Sequence, residues 1–323
     1  MICRSSPVTG RWPARAGRVL VGLLGLGLML GGGCQQKKDK PVVALVMKSL
    51  ANEFFKTMEE GAKTHHAQHQ DQYDLKVVGI KDETDVTQQI QYVELMIAQK
   101  VDAIVIAPAD SKALVPVCKR AMDAGIIVVN IDNKFDEAVL KDKNARIPFV
   151  GPDNRKGAKL AGVYLASRLK AGDKVAVIEG APNAYNGIQR KLGFEDAMTG
   201  NNLSIISSQT GYWETDKAQP IASALINEHP DLKAILCAND SMALGAVAAL
   251  KDAGKLGSIQ VVGFDNIAAV QRLLKEGRIL CTVDQHADEL ALFGIEYALE
   301  MLRTKAQPTD KETPVDLITA EML

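Results

Sequence analysis

The sequence predicts an α/β protein made of two doubly wound parallel-sheet lobes. Three observations lead there. From Val42 onward, short β-branched runs alternate with longer helical patterns. The runs are continuously apolar rather than alternating, as expected of strands covered on both faces of a parallel sheet. One strand–helix–strand unit also occurs twice. Ala103–Asp132 reads "AIVIAPADSKALVPVCKRAMDAGIIVVNID" and Ala234–Asp265 reads "AILCANDSMALGAVAALKDAGKLGSIQVVGFD". Both run strand, A…DSxAL, helix, DAG, strand, Asp, a periodicity beyond generic strand–helix alternation.

In chain order, the expected strands are "VVALVM" (42–47), "LKVVGI" (75–80), "AIVIA" (103–107), "IIVVNI" (126–131) and "IPFV" (147–150) for the first lobe. "KVAVIE" (174–179), "LSIISS" (203–208), "AILCA" (234–238), "QVVGF" and "ILCTV" (279–283) follow for the second. The connecting helices include "TQQIQYVELMIAQK", "KGAKLAGVYLASRLKAG" and "SMALGAVAALKDAG". The last two end in glycine, which favours a left-handed helix stop.

The 323 residues are 47% hydrophobic and 24% charged, ordinary for a globular chain, with a formal charge of −1. No basic surface is advertised, so no nucleic-acid partner is expected. The first 34 residues form a separate segment. Arg4, Arg11, Arg15 and Arg18 precede the apolar run Val19–Leu30, then "GGGC". Twelve residues rise ~18 Å as a helix, too short for a ~30 Å bilayer core, so the segment reads as an export signal. Cys34 stands where a bacterial lipoprotein signal resembling this one carries its acylated cysteine, and ordinary signal cleavage is the alternative. The polar 35–40 stretch, "QQKKDK", reads as a tether. Contact with the membrane is expected only through that lipid.

Cys118, Cys237 and Cys281 lie in apolar surroundings without CxxC spacing and read as buried free thiols. His65, His66 and His69 share a helix face. They read as a solvated face, and no metal or other cofactor is expected.

Open α/β sheets take ligands outside the carboxyl ends of their strands. Those ends gather Lys48, Asn52, Phe54, Phe55, Asp132, Asn133, Asn239, Asp240, Asp265 and Gln285. Helix capping is the plainer reading of any single Asp or Asn here. Together, the carboxylates and amides match the donors and acceptors of vicinal hydroxyl groups. The aromatic rings match the flat C–H face of a pyranose. Trp213, in the polar loop "QTGYWETD", is a further aromatic wall.

At these residues the chain resembles the periplasmic sugar-binding proteins of ABC importers, in the ribose/allose cluster of the type I periplasmic binding protein fold. The resemblance runs from Pro41 to the C-terminus. It rests on "LVMKSLANEFF", "VVNID", "GPDN", "IEG…RKLGF", "CANDSMALGA", "VVGFD" and the Gln after "CTVD". It implies ligand contacts at Lys48, Asn52, Phe54, Phe55, Asp132, Asn133, Arg190, Trp213, Asn239, Asp265 and Gln285. It also implies a three-strand hinge near Gly151–Pro152, Gln285 and Thr313–Pro314. Residues 41–151 plus 286–312 would form the N-terminal lobe, and 152–285 plus 313–323 the C-terminal lobe. Lys48 and Asn133 depart from the ribose pattern and favour an aldohexose such as D-allose. The implied protein is an exported monomer, in the periplasm or on the outer membrane face, that delivers a monosaccharide to an ABC permease. A secreted sensor presenting the sugar to a chemoreceptor or sensor kinase would use the same binding chemistry.

Two other classes fail. A dinucleotide enzyme needs a glycine-rich turn after its first strand, where this chain has "KSLANEFF"; no GxSxG or P-loop occurs either, and no catalysis is expected. A sugar-responsive repressor needs an N-terminal DNA-binding helix pair in place of the export signal.

Overall fold

The computed structural model describes residues 40–305 and 309–323. The expected signal (1–34), Cys34 and all but the last residue of the tether lie outside the described residues. The first lobe begins β1 (Val42–Met47), α1 (Glu53–Gln68), β2 (Asp74–Gly79), α2 (Val86–Ala98) and β3 (Ala103–Ile106). It continues through α3 (Val115–Asp123), β4 (Ile127–Ile131), α4 (Glu137–Asp142) and β5 (Phe149–Pro152). The second lobe opens with α5 (Asn154–Ala166), β6 (Lys174–Glu179), α6 (Tyr185–Gly200), β7 (Ser204–Thr210) and α7 (Thr215–Glu228). β8 (Leu232–Cys237), α8 (Asp240–Asp252), β9 (Gln260–Val262), α9 (Ala268–Lys275) and β10 (Thr282–Asp284) follow. The chain returns through α10 (Ala287–Thr304), β11 (Lys311–Thr313) and β12 (Asp316–Ile318).

Both large sheets are parallel. The first runs β11-β5-β4-β3-β1-β2 and the second β7-β6-β8-β9. In each, the opening strand lies between its second and third: Val46 of β1 aligns with Val78 of β2 and Ile106 of β3, and β6 pairs with both β7 and β8. The strand order therefore reverses beside β1 and again beside β6. Such a reversal leaves a crevice at the carboxyl ends, because the flanking connections run to opposite faces. The repeated sequence unit occupies the same place in both sheets, as β3–α3–β4 and β8–α8–β9.

The chain passes between the lobes three times: after β5, after β10, and between β11 and β12. β11 pairs with β5 in the first sheet, whereas β12 pairs antiparallel with β10. The crossings are thus tied to one another rather than left as free loops.

The glycines of the two "DAG" sequences, Gly125 (φ 86°) and Gly254 (φ 65°), take the left-handed backbone expected at a helix stop. α5 differs from expectation. It ends at Ala166, and Gly172 (φ 86°) instead turns the chain into β6. The shared "DS" also acts differently in the two copies. Asp240 opens α8 directly, while Asp110 caps a turn through Lys112 N and Ala113 N, and α3 starts only at Val115.

The expectation of a solvated histidine face is corrected for His65. α10 packs across α1 and buries it. Its Nδ1 lies 2.9 Å from Tyr73 Oη, and its ring stacks on His69 at 4.1 Å. Burial pulls its pKa down, and the neighbouring His69 acts in the same direction. Among the described residues no His, Cys, Asp or Glu cluster could hold a metal ion. The three central cysteines are free and buried, and burial pushes the Cys118 thiol up to about 12.

Candidate functional site

A small, tightly closed cavity lies where the carboxyl ends of the two sheets face each other. Lys48, Asn52, Phe54, Phe55 and Asp132 line it from the first lobe, and Arg190, Trp213, Asn239, Asp265 and Gln285 from the second lobe and its return crossing. Glu83 and Asn186 complete the lining. A larger groove follows the outer side of α5 past Phe149, Leu160 and Leu317. It lacks a comparable ring of buried polar groups, so the chemistry concentrates in the smaller space.

Local structure aims each side chain inward. Asn52 caps α1 by accepting from Phe54 N at 3.0 Å, and its amide still donates to Glu83 Oε1 at 2.8 Å. Asn239 caps α8 in the same way through Met242 N and donates to Trp213 O. A helix cap uses only the side-chain oxygen, so the amide N–H₂ stays free for a second task. Asp132 and Asp265, at equivalent strand ends, both adopt positive φ, 60° and 126°. Such backbone costs about 1–3 kcal/mol at a non-glycine residue and persists only where surrounding contacts impose it. A short turn, Asn133 N to Ile131 O at 2.7 Å, imposes it on Asp132, and a bond from Asp265 N to Val283 O does so for Asp265.

The charges come in crossed pairs. Lys48 Nζ lies 3.1 Å from Asp132 Oδ2, with both side chains buried. Arg190 Nη1 donates to Ala238 O at 2.9 Å and to Asp265 Oδ1 at 3.3 Å, while its Nε donates to Asn154 Oδ1. The guanidinium lies 3.7 Å from the Phe264 ring centroid. Burial pulls the Arg190 pKa down, and the carboxyls of Asp265, Asp132 and Asp240 oppose it. Burial also pushes Asp265 up against the pull of Arg190, and pushes Asp240, behind it, to about 7 despite bonds from Thr282 Oγ1 and Ile267 N. Gln285 Nε2 donates to Asp265 Oδ1 at 2.7 Å. Trp213 receives cations from both lobes, Lys48 Nζ and the Arg190 guanidinium each 5.5 Å from the ring. Phe54 and Phe55 meet edge to face at 5.0 Å.

Five side-chain atoms of this lining are buried without a protein hydrogen-bond partner: Glu83 Oε2, Asp132 Oδ2, Asn186 Oδ1, Arg190 Nη2 and Gln285 Oε1. Asp132 Oδ2 keeps its ionic contact with Lys48, off the line of a hydrogen bond. An unmade hydrogen bond on a buried polar group costs about 1–3 kcal/mol. Five such atoms converging on one space define a surface complementary to a molecule rich in hydroxyl groups.

Of the eleven residues expected at this site, ten line the cavity. Asn133 stands behind it. Its amide donates to Pro108 O at 2.8 Å, and its Oδ1 accepts from Ser111 Oγ and, across the lobes, from Asn186 N. With its oxygen accepting twice and its amide donating to Pro108, it braces the wall behind the cavity. Glu83 and Asn186 were missed. Glu83 sits in "KDETD", a charge run that reads as a solvated loop. Its place just past the end of β2 was the available signal. Asn186 was legible as the residue one helical turn before Arg190 on the same face.

The fold and cavity together define a two-lobed binding protein with a polar cavity between its sheets. The chain belongs to the periplasmic binding protein domain family, which it matches over residues 43–306. It is 58% identical to the D-ribose/D-allose-binding protein of Pseudomonas aeruginosa, over 87% of this chain and 90% of that protein. The D-allose-binding periplasmic protein of Escherichia coli is 31% identical over 85% of this chain and 89% of its own length. Two solved ABC-transporter solute-binding proteins share the architecture. One, from Burkholderia multivorans with an unknown ligand represented as α-D-erythrofuranose, has TM-score 0.85 and 57% identity, covering 87% of this chain and 99% of that one. The other, from Actinobacillus succinogenes with bound D-allose, has TM-score 0.83 and 34% identity, covering 88% and 99%.

The Asn133→Ala variant tests the bracing role. It strands Pro108 O and Asn186 N, so unfolding stability is expected to fall by about 1–3 kcal/mol in a denaturant melt. A melt superimposable on wild type would contradict it.

Proposed function

We propose that the protein captures a monosaccharide between its lobes and delivers it to the permease of an ABC importer, favouring an aldohexose such as D-allose over ribose. The observation that carries this is the set of five unpartnered polar atoms. Asp132 Oδ2, Asn186 Oδ1 and Gln285 Oε1 are acceptors, Arg190 Nη2 is a donor, and the Glu83 carboxyl takes either part according to its protonation; a sugar supplies several O–H donors and several oxygen acceptors in the space of one small ring. Trp213 and Phe55, from opposite lobes, offer apolar faces for its C–H surfaces, and the membership of the chain in the periplasmic binding protein family supports the same reading. The hexose preference rests on Lys48 and on the D-allose bound by the relative from A. succinogenes, while the relative from P. aeruginosa is named for D-ribose and D-allose alike.

Capture works through closure. Asp132 and Asn52 belong to one lobe and Asp265, Arg190 and Asn239 to the other, so a sugar completes its contacts only when the lobes meet. A ligand shifts such an equilibrium by no more than its extra contacts in the closed form. Hinge closure of two lobes around a ligand is the motion known for periplasmic binding proteins. Closure also joins the lobes directly: Asn183 Nδ2 donates to Asp110 Oδ2 at 2.7 Å, and Ala268 N donates to Glu53 Oε1 at 2.9 Å.

Titrating purified protein with D-allose, D-ribose, inositols and polyols in a thermal-shift assay tests the function. A ligand at ~100-fold saturation adds ~2.7 kcal/mol to the native state. D-Allose is expected to raise Tm more than D-ribose. Trp213→Ala and Asp265→Ala are each expected to weaken binding at least tenfold while the circular dichroism spectrum stays native. Unchanged affinity in both variants would contradict the site.

Export and anchoring belong to the same proposal and rest on the N-terminal sequence. In a host with lipoprotein processing, the wild-type chain is expected in the membrane fraction and Cys34→Ser in the soluble fraction. Identical partitioning of the two would remove the anchor.

A further inference from the structure

We propose that Glu83 is an additional specificity residue of the cavity, one that meets the ligand as a neutral carboxylic acid and donates its O–H to a ligand oxygen, so that capture takes up a proton. The inference rests on the sugar reading above and adds the protonation state of one contact to it.

The geometry fixes one half of the carboxyl and leaves the other for the ligand. Asn52 Nδ2 donates to Oε1 at 2.8 Å, whereas Oε2 lies buried on the cavity with no protein partner. The side chain is 3% exposed, so solvent does not serve that atom. Charge balance supplies the second argument. Lys48, at the end of β1, is engaged by Asp132, and Arg190, on α6, by Asp265 with Asp240 behind it. Glu214, before α7, adds another negative charge facing Glu83 and pairs with Lys217. Lys48, the cation of the lining that acts on Glu83, is already paired with Asp132, and a buried charge without a partner of its own neutralises instead. In accord with this, burial raises the Glu83 carboxyl to about 7; Lys48 and the Asn52 hydrogen bond resist, and Asp132 and Glu214 add to the rise.

Parting the lobes removes Asp132's opposite wall and Glu214 from Glu83 and admits water, which returns the carboxyl toward the ordinary range near ~4.3. The closed form then holds a proton that the open form releases. The sign follows from linkage: ligand affinity is greatest at low pH, falls as pH rises from that ordinary range to about 7, and levels off above. One proton limits the slope to about tenfold per pH unit.

Calorimetric titration of the purified protein with D-allose and with D-ribose, between pH 5 and 8.5, tests this. Repeating it in two buffers of different ionisation enthalpy counts the protons exchanged. Wild type is expected to take up close to one proton on binding below pH 7 and to lose affinity toward neutrality. Glu83→Gln is expected to lose that part of the pH dependence, and Glu83→Ala to bind at least tenfold more weakly at pH 5. Contributions from Asp240 and Asp265 are common to all three proteins and cancel in the comparison. No proton uptake by wild type, or a Glu83→Gln profile parallel to wild type, overturns the inference while leaving the sugar reading intact. Absence of binding by wild type to either sugar at any pH overturns both.

Discussion

Two sheets facing each other across a crevice must hide the polar groups at their strand ends, and this protein cannot satisfy all of those groups by itself. Closure buries Lys48, Asp132, Arg190, Asp265 and Gln285 almost completely. The ion pairs Lys48–Asp132 and Arg190–Asp265 keep the charges compensated, and five polar atoms, Asp132 Oδ2 of the first pair among them, still lack a hydrogen-bond partner. On the function proposed above, a ligand with matching hydroxyls meets that residual demand. A buried polar network left half satisfied is worse than an apolar one, so the same groups that confer selectivity also oppose an empty closed state.

The remaining architecture serves to hold those groups still. A helix cap, a left-handed aspartate and a bonded arginine each place one side chain, and every one is fixed by backbone contacts in its own lobe. Asn133 ties Pro108, Ser111 and Asn186 together behind the wall. Glycine at 180 gives Trp213 its place, because a Cβ there would stand 2.0 Å from the indole. The crossings after β5 and β10 are paired with β11 and β12, so lobe movement is channelled through a few short strands.

The sequence disclosed most of this because the relevant signals are local. Continuous apolar strands, the duplicated strand–helix–strand unit and the strand-end positions of Asp132 and Asp265 follow from short-range patterns. What escaped depends on tertiary packing. His65 is buried because α10, more than 200 residues away in the chain, lies across α1. Asn133 stands beside Asp132 in sequence, yet the tight turn at Asp132 sends the two side chains to different tasks. Glu83 lies in a charged run, and its burial follows from tertiary packing that no short-range pattern reports.

The central claim is that ligand hydroxyls satisfy the unpartnered atoms between the lobes. Calorimetric binding of D-allose beside its series of monodeoxy analogues tests it most directly. The account predicts that removal of any hydroxyl facing these atoms weakens binding by one to two decades, since each loss strands a buried group at about 1–3 kcal/mol. Deoxy analogues that all bind as tightly as the parent sugar would contradict it.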